Sequence, residues 1–341
     1  MVAPLVKWHR RRKRQRNWRL WKEGARTGLS QELEALCGQV HKLAIGLDSS
    51  LPDYDLRISR QEDRLVLHTG LRKLSQHSKG VFRNRALTAL WWFVNADQTV
   101  QQAGFGLSDG DQPTLGAFSF CSQDPGVSLV PDPYFLRSRG YQNIAAHGRT
   151  KARAWADRND QLVWRGGTNG QGLASFVPDH STHLGMNPRI RLAVQARNLP
   201  NVDVRFAPVS GRNMAAYEDA GLMGDFIPLT SWGTQKFAID IDGFSNAWSN
   251  LLERFHLGCC VLKIDSAHGF RQWYYDRLIP FETHIPVRAD LSDLEEKLDW
   301  IRANDAECRA IAANGQALAR SLDFDTVTRW AGDAITTRAA R

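Results

Sequence analysis

Long apolar runs are missing from this 341-residue chain. Past the first dozen residues the longest lies near Leu90–Val94, far short of the roughly 20 apolar residues of a membrane span, so no bilayer-crossing helix is expected. Cysteine is scarce and odd in number: Cys37, Cys121, Cys259, Cys260 and Cys308 form no C-x-x-C pair and have no His at zinc-finger spacing. That excludes a disulfide framework or a zinc finger and reads as reduced core thiols in a cytosol. The chain also lacks G-x-x-x-x-G-K-S/T and H-E-x-x-H, which removes the P-loop and zincin readings. Its 27 Gly and 13 Pro are spread without a low-complexity tract, so collagen-like, coiled-coil and mucin-like chains are excluded. The length and ordinary apolar content predict about two globular domains.

Acidic residues are nearly absent from one place. Residues 1–26 carry ten Lys or Arg and a single acid, Glu23; the whole chain is +8, so residues 27–341 are near neutral at −1. The basic cluster follows only a short apolar run, the reverse of a secretory signal, and the chain is expected to stay cytoplasmic. Trp8, Trp18 and Trp21 are interleaved with the cations, a pattern that suits an anionic membrane surface. Nucleic acid and a merely solvated terminus remain open for the same charges, but a neutral body is a poor scaffold for a duplex-binding face, and no nucleic-acid partner is expected.

Hydrophobic periodicity predicts an α/β alternation. Residues 33–44 have helical spacing, Arg64–Thr69 alternates as a strand, and residues 86–94 read as a buried helix. Gly104–Leu107 reads as a strand running into Ser108-Asp109-Gly110-Asp111, and Val127–Val130 as one stopped by Pro131. A second set follows: residues 162–167, Val202–Phe206, Lys236–Ile241 and Cys259–Ile264 as strands. Between the last two, Trp248, Leu251, Leu252 and Phe255 fall at i, i+3, i+4 and i+7, predicting a helix over 247–257 with Gly258 as its left-handed terminus. Ser292 and Glu295 have capping-box spacing ahead of a helix, with Asp290 and Asp293 as helix-start acids, and residues 306–322 predict another. Two α/β halves imply a ligand cleft at the carboxyl ends of the strands.

Three features suit a phosphorylated ligand. Arg165, Gly166, Gly167 and Thr168 join a cation to a glycine turn at a strand end. Asp242, Gly243, Ser245 and Asn246 open the helix begun at Ala247, whose unpaired N–H groups attract anions. Lys263 and Ser266 leave the next parallel strand. Asp240-Ile241-Asp242 and Asp109-Gly110-Asp111 both match D-x-D, a weak sign of a metal-held nucleotide sugar, since alternate strand residues share a face anyway. The histidines show no paired spacing; His256 reads as a satisfied helix residue, and Trp248 as one that packs.

Residues 235–318, with WRGGTNG at 164–170 and the earlier blocks FGLSDGDQP and LVPDPYF in the same order, resemble family 90 glycosyltransferases, particularly the bacterial lipopolysaccharide-core type. Eukaryotic protein O-glucosyltransferases and fungal capsule xylosyltransferases belong to the same family. The resemblance implies a GT-B architecture of two facing Rossmann-like domains, a UDP-sugar donor, inverting transfer to a glycan or glycolipid hydroxyl, and no cofactor or catalytic metal. With the basic tail over 1–26 set by its charge, the chain is expected to divide into an acceptor-side domain over 27–155, a nucleotide-sugar-binding domain over 156–325 and a C-terminal tail over 326–341. The family's general base maps to Asp109, with Asp111 as fallback because Pro113 is displaced relative to some members. Donor contacts map to Arg165–Thr168 and to Ser245, Asn246, Ala247, Trp248, Ser249 and Asn250. Eukaryotic members end that last block in an Arg taken to hold the diphosphate; Asn250 stands there here, leaving Arg165, Lys263 and Arg277 as candidate cations, with Arg165 best placed. A non-catalytic glycan- or nucleotide-binding relative and a metal-dependent GT-A transferase are the alternatives. Deleting residues 1–26 is expected to move the protein from anionic vesicles to the soluble fraction at low salt in a sedimentation assay; unchanged vesicle binding would refute the membrane reading.

Overall fold

The computed structural model describes residues 23, 26–70, 79–208 and 214–340; the basic tail, apart from Glu23 and Arg26, lies outside them. No helix among the described residues is long and apolar enough to cross a membrane. The described residues fall into two compact units, one drawn from residues up to 120, 124–133 and 328 onward, the other from 121–123 and 134–327.

In the first unit, a helix over residues 26–37 (α1) precedes β1 (Lys42–Leu47), β2 (Asp55–Gln61), β3 (Arg64–Thr69), α2 (Lys79–Val94), β4 (Gln102–Gly106), β5 (Phe118–Ser119) and β6 (Ser128–Leu129). The expected helix over 33–44 is divided because Gly38, at φ +67°, ends α1 with its N–H on the Glu34 carbonyl. The chain then extends into β1. The sheet order is β1-β3-β2-β4-β5-β6. Here the expectation of a Rossmann-like first half is corrected: β2 runs antiparallel to both β3 and β4. Only Glu62 and Asp63 separate β2 from β3, and two residues close a hairpin but cannot make a parallel crossover. The α2 helix is buried on most sides, as its sequence predicts, and its Trp92 Nε1 donates to the Pro131 carbonyl at 2.8 Å.

The second unit contains α3 (Pro133–Arg137, from Tyr134 onward), α4 (Gln142–Thr150), β7 (Asn159–Gly166), α5 (Pro188–Ala196), β8 (Val202–Phe206) and α6 (Met214–Asp219). It continues through β9 (Gln235–Asp240), α7 (Asn250–His256), β10 (Cys260–Ile264), β11 (Ile285–Val287), α8 (Leu294–Ala303), α9 (Asp305–Ser321) and the start of α10 (Phe324–Ala339). Its sheet is all parallel, in the order β11-β10-β9-β7-β8. Strand residues such as Leu162, Phe237, Ile239 and Leu262 are buried with Ile190 and Val194 of α5 and Ile311 of α9, the sandwich that keeps a parallel sheet dry on both faces.

The compact units divide the chain differently from the expected 155/156 boundary. Residues 134–155 cluster with the second unit, where α4 meets the end of α7 so closely that a Cβ on Gly148 would lie 2.0 Å from the His256 carbonyl oxygen. Residues 326–341, expected as a tail, are helical through Ala339, and 328–341 cluster with the first unit. Two local expectations also change. Trp248 has φ +50°, so α7 starts at Asn250 rather than Ala247. The Ser292–Glu295 capping box does not form: Asp293 is the N-cap of α8, its Oδ1 accepting from Arg288 N–H, while Ser292 N–H donates to Asp290. None of the five cysteines forms a disulfide, and all but the half-buried Cys37 are buried.

Candidate functional site

Numbered within its own unit, the parallel sheet has strand order 2-1-3-4-5, and its order reverses between β7 and β9. In such sheets the crevice outside the carboxyl ends at that switch point receives ligands. The sequence places there the turn after β7, Gly166 to Asn169, and the turn after β9, Ile241 to Asn246.

One guanidinium ties the two turns together. Arg189 Nε donates to the Asp242 carbonyl at 3.1 Å, while Nη1 donates to the Gly167 carbonyl at 3.2 Å and to Asn169 Oδ1 at 2.7 Å. Nη2 has no hydrogen-bond acceptor among the described residues, and a Cβ on Gly243 would sit 2.9 Å from it, so glycine is what lets the β9 turn close over the cation. Burial pushes the Arg189 guanidinium down to about 10, against the raising influence of Asp242 and Asp240. Arg189 was missed by sequence reasoning. The signal was present: Asn187-Pro188 marks a helix start, Asn187 Oδ1 caps α5 by accepting Arg189 N–H at 3.0 Å, and an Arg in a first helical turn opposes the dipole. Such a residue is held there by something other than helix stability.

Arg165 is a correction. Its Nη2 bonds Asp203 Oδ2 at 2.6 Å, Nη1 reaches the Trp164 and Asp203 carbonyls, and Nε reaches the Asp225 carbonyl. With each guanidinium nitrogen engaged, this side chain stitches β7 to β8 and has no fork left for a phosphate. Arg277 is exposed on the turn Tyr275–Arg277, outside the cluster's hydrogen bonds.

The remaining expected residues divide between charged and polar roles. Asp240 is 1% exposed, accepts from Asn250 Nδ2 at 2.8 Å and lies 3.5 Å from Lys263 Nζ, which sits 4.4 Å over the Tyr275 ring. Asn250 Nδ2 is committed to the β9 strand end, to Asp240 and the Ile239 carbonyl. Desolvation pushes the buried Asp242 carboxyl up to about 6, with Lys263 and a Ser266 hydrogen bond opposing and Asp240 adding to the rise. Thr168 contributes its carbonyl to Tyr217 Oη at 3.4 Å, and Ser266 Oγ accepts from Phe270 N–H. Gly166 passes its carbonyl to Ala207 N–H.

Buried polar atoms lacking partners gather in the β9 turn. Ser245 Oγ and Asn246 Nδ2 have none, although both residues are almost fully buried. Asn246 Oδ1 is occupied by Gln272 Nε2 and the Trp248 N–H. A buried unpartnered hydroxyl and amide cost roughly 1–3 kcal/mol each, a cost that a polar ligand in the turn removes. Ala247, Trp248 and Ser249 are half-buried in the approach to α7, with the Trp248 ring 6.2 Å from that of Tyr134. Because α7 has only seven residues and starts at Asn250, the helix start expected at Ala247 does not form.

In the first unit, Asp109 lies just past β4, half-buried and ion-paired to Arg85 of α2, which also donates to the Leu107 carbonyl at 2.6 Å. Asp111 is exposed and accepts from its neighbour Gln112 at 3.3 Å. Of the two, Asp109 is the positioned carboxylate.

The sequence profile of glycosyl transferase family 90 matches residues 143–339. Protein 035R of Invertebrate iridescent virus 3 is 41% identical over 218 residues, 63% of this chain and 19% of that protein. Human protein O-glucosyltransferase 3 is 36% identical over 104 residues, 30% of this chain and 19% of the enzyme. The chain thus spans about a fifth of the length of these relatives. Anabaena HepE, solved with UDP-glucose, overlaps 57% of this chain and 55% of its own at 11% identity, with a TM-score of 0.36.

The raised Asp242 carboxyl has a stability consequence. Between about pH 4 and 6 the folded chain holds a proton that the unfolded chain releases, so stability from this group falls as pH rises through that window. Asp242→Asn is expected to be stabilising above pH 7, by up to about 3 kcal/mol, and neutral near pH 4, in urea denaturation at the two pH values. Equal effects at both would refute the assignment.

Proposed function

The chain belongs to glycosyl transferase family 90, and from that premise we propose that it is an inverting glycosyltransferase carrying a sugar from a UDP-sugar to a hydroxyl of a glycan acceptor. The observation that carries this reading is the switch-point cluster, where Arg189 bridges the β7 and β9 turns beside the unpartnered Ser245 Oγ and Asn246 Nδ2. In the proposal Arg189, through its uncommitted Nη2, replaces Arg165 as the cation for the diphosphate. Lys263 neutralises Asp240, and the β9 turn supplies neutral donors to the phosphate oxygens.

Asp109 is proposed as general base. Its carboxylate accepts the proton of the acceptor hydroxyl as that oxygen attacks the anomeric carbon, and the UDP oxygen leaves from the opposite face with the bonding pair, inverting the centre. Arg85 fixes the carboxylate relative to the end of β4, the orienting role that a general base needs. The finer reading assigns the GT-B division of labour, with acceptor chemistry in the first unit and donor binding in the second. It places the reaction in the cytoplasm, peripheral on the inner membrane face through the basic tail, without a catalytic metal. The resemblance in residues 235–318 favours a lipopolysaccharide or lipooligosaccharide core as acceptor; a protein hydroxyl is the competing arm.

A UDP-sugar panel with core oligosaccharide or folded protein acceptors, read by mass spectrometry, tests the reading; absence of transfer to either class refutes it. Asp109→Asn is expected to lower turnover by about 10²–10⁴ with UDP affinity retained. Arg189→Gln is expected to weaken UDP binding by roughly 10–150-fold, with Arg189→Lys recovering part, because one Arg contributes about 1.5–3 kcal/mol in charge-assisted hydrogen bonds. Arg165→Gln is expected to lower stability while leaving UDP affinity nearly unchanged. Calorimetry on the folded variants separates the two arginines.

A further inference from the structure

The second unit has another polar recess, at the opposite end of its strands from the β7 and β9 turns. His256, the last residue of α7, precedes the first residue of β10 by four positions and so marks the amino end of the sheet. It lines a cavity of about 620 Å³, a size suited to a small-molecule ligand. The α4 helix contributes one face to the wall, with Gln142, Ala145, Ala146 and Arg149 at i, i+3, i+4 and i+7.

Three guanidiniums line this recess, those of Arg139, Arg149 and Arg320. None makes a side-chain hydrogen bond or ion pair with a described residue; Arg139 only rests 5.0 Å over the Phe324 ring. Two carboxylates stand at the start of α10, and one of these, Asp323, accepts Thr326 N–H. The cations therefore exceed the acids and are uncommitted. The α4 N-terminus opens into the same space without a side-chain cap. The independent sign of a ligand is His256: it is 3% exposed, and its buried Nδ1 has no hydrogen-bond partner.

We propose that this recess binds a sugar phosphate, its phosphate among Arg139, Arg149 and Arg320 within reach of His256 Nδ1, and its sugar beside Phe324 and the Gln142 and Asn143 amides. Guanidiniums match phosphate oxygens, and a cavity much larger than a phosphate leaves room for the attached ring. Burial holds the His256 imidazole down to about 4, with the Arg320 and Arg149 charges adding to the depression. The groups facing it are Arg149 from α4, Arg320 from α9, Asp323 just before α10 and Asp325 in its first turn, with the Tyr141 ring 5.9 Å away. A bound dianion offsets the two arginines, so His256 is expected to titrate at higher pH when the recess is filled.

The test is calorimetric titration of the full chain, saturated with UDP, against inorganic phosphate, glucose 6-phosphate and glucose. The expected result is binding of glucose 6-phosphate at least tenfold tighter than inorganic phosphate, no heat with glucose, and at least a tenfold loss in the Arg149→Gln/Arg320→Gln double variant with unchanged melting temperature. NMR of the His256 ring is expected to show an upward shift of its titration in the presence of glucose 6-phosphate. Equal affinity for inorganic phosphate would overturn the sugar assignment. Competition by UDP, undiminished binding in the double variant, or no binding at millimolar ligand would overturn the site. Because the recess is distinct from the β7 and β9 turns, these outcomes are independent of whether UDP-sugar transfer is found.

Discussion

The geometry of the second unit's site depends on one buried guanidinium that has no ion-pair partner of its own. Arg189 holds two backbone carbonyls and one amide oxygen from two different strand-end turns, so the turns after β7 and β9 have a fixed separation only while that side chain is in place. Burying a cation this way is expensive, and the same desolvation pushes its guanidinium down. The nearby Asp240 and Asp242 charges offset part of the cost, but Asp242 is itself driven up by the same burial. The result is a cluster in which neither cation nor carboxylate is fully compensated. For the proposed diphosphate, such a cluster would need little reorganisation.

The strands that were legible, such as β3, β8, β9 and β10, each combine a short apolar run with a clear stop. Arg64–Thr69 and Val202–Phe206 match the structure at both ends, and the buried 86–94 segment sits within α2. Failures came where one backbone angle or one distant partner decided the outcome. Gly38 divided α1 from β1, and Trp248, a residue with a Cβ penalty at positive φ, delayed α7 by a turn. The antiparallel β2 was missed because its two-residue turn contains no glycine or asparagine to announce a hairpin.

At the site, the turn residues were identified, but their roles were not. Arg165 and Arg189 are equivalent by residue type, and sequence position favoured Arg165 because it adjoins the glycines. What separates them is Asp203, placed beside Arg165 by the β7–β8 register, in which Arg165 pairs with Arg205 and Val163 with Asp203. Strand register is a non-local property, and nothing near residue 165 in the sequence encodes it. Asn250 shows the converse: a departure from a family pattern that, in the structure, has its own task on Asp240.

Short as it is, α7 touches both polar ends of the sheet. Asn250 at its start binds the Asp240 carboxylate and the Ile239 carbonyl, and His256 at its end faces the arginine-lined recess. Seven residues span only about 10 Å, and a helix at that length moves as a rigid piece. Its Leu251, Leu252 and Phe255 are buried and the helix packs against β9, β10 and α9, so displacement of one end has to be accommodated at the other. Linkage then sets a definite requirement. If filling the recess shifts α7 relative to Asp240 and so changes affinity at the strand-end site, occupancy of that site must change the recess affinity by the same factor; if α7 does not move, this route of coupling is absent.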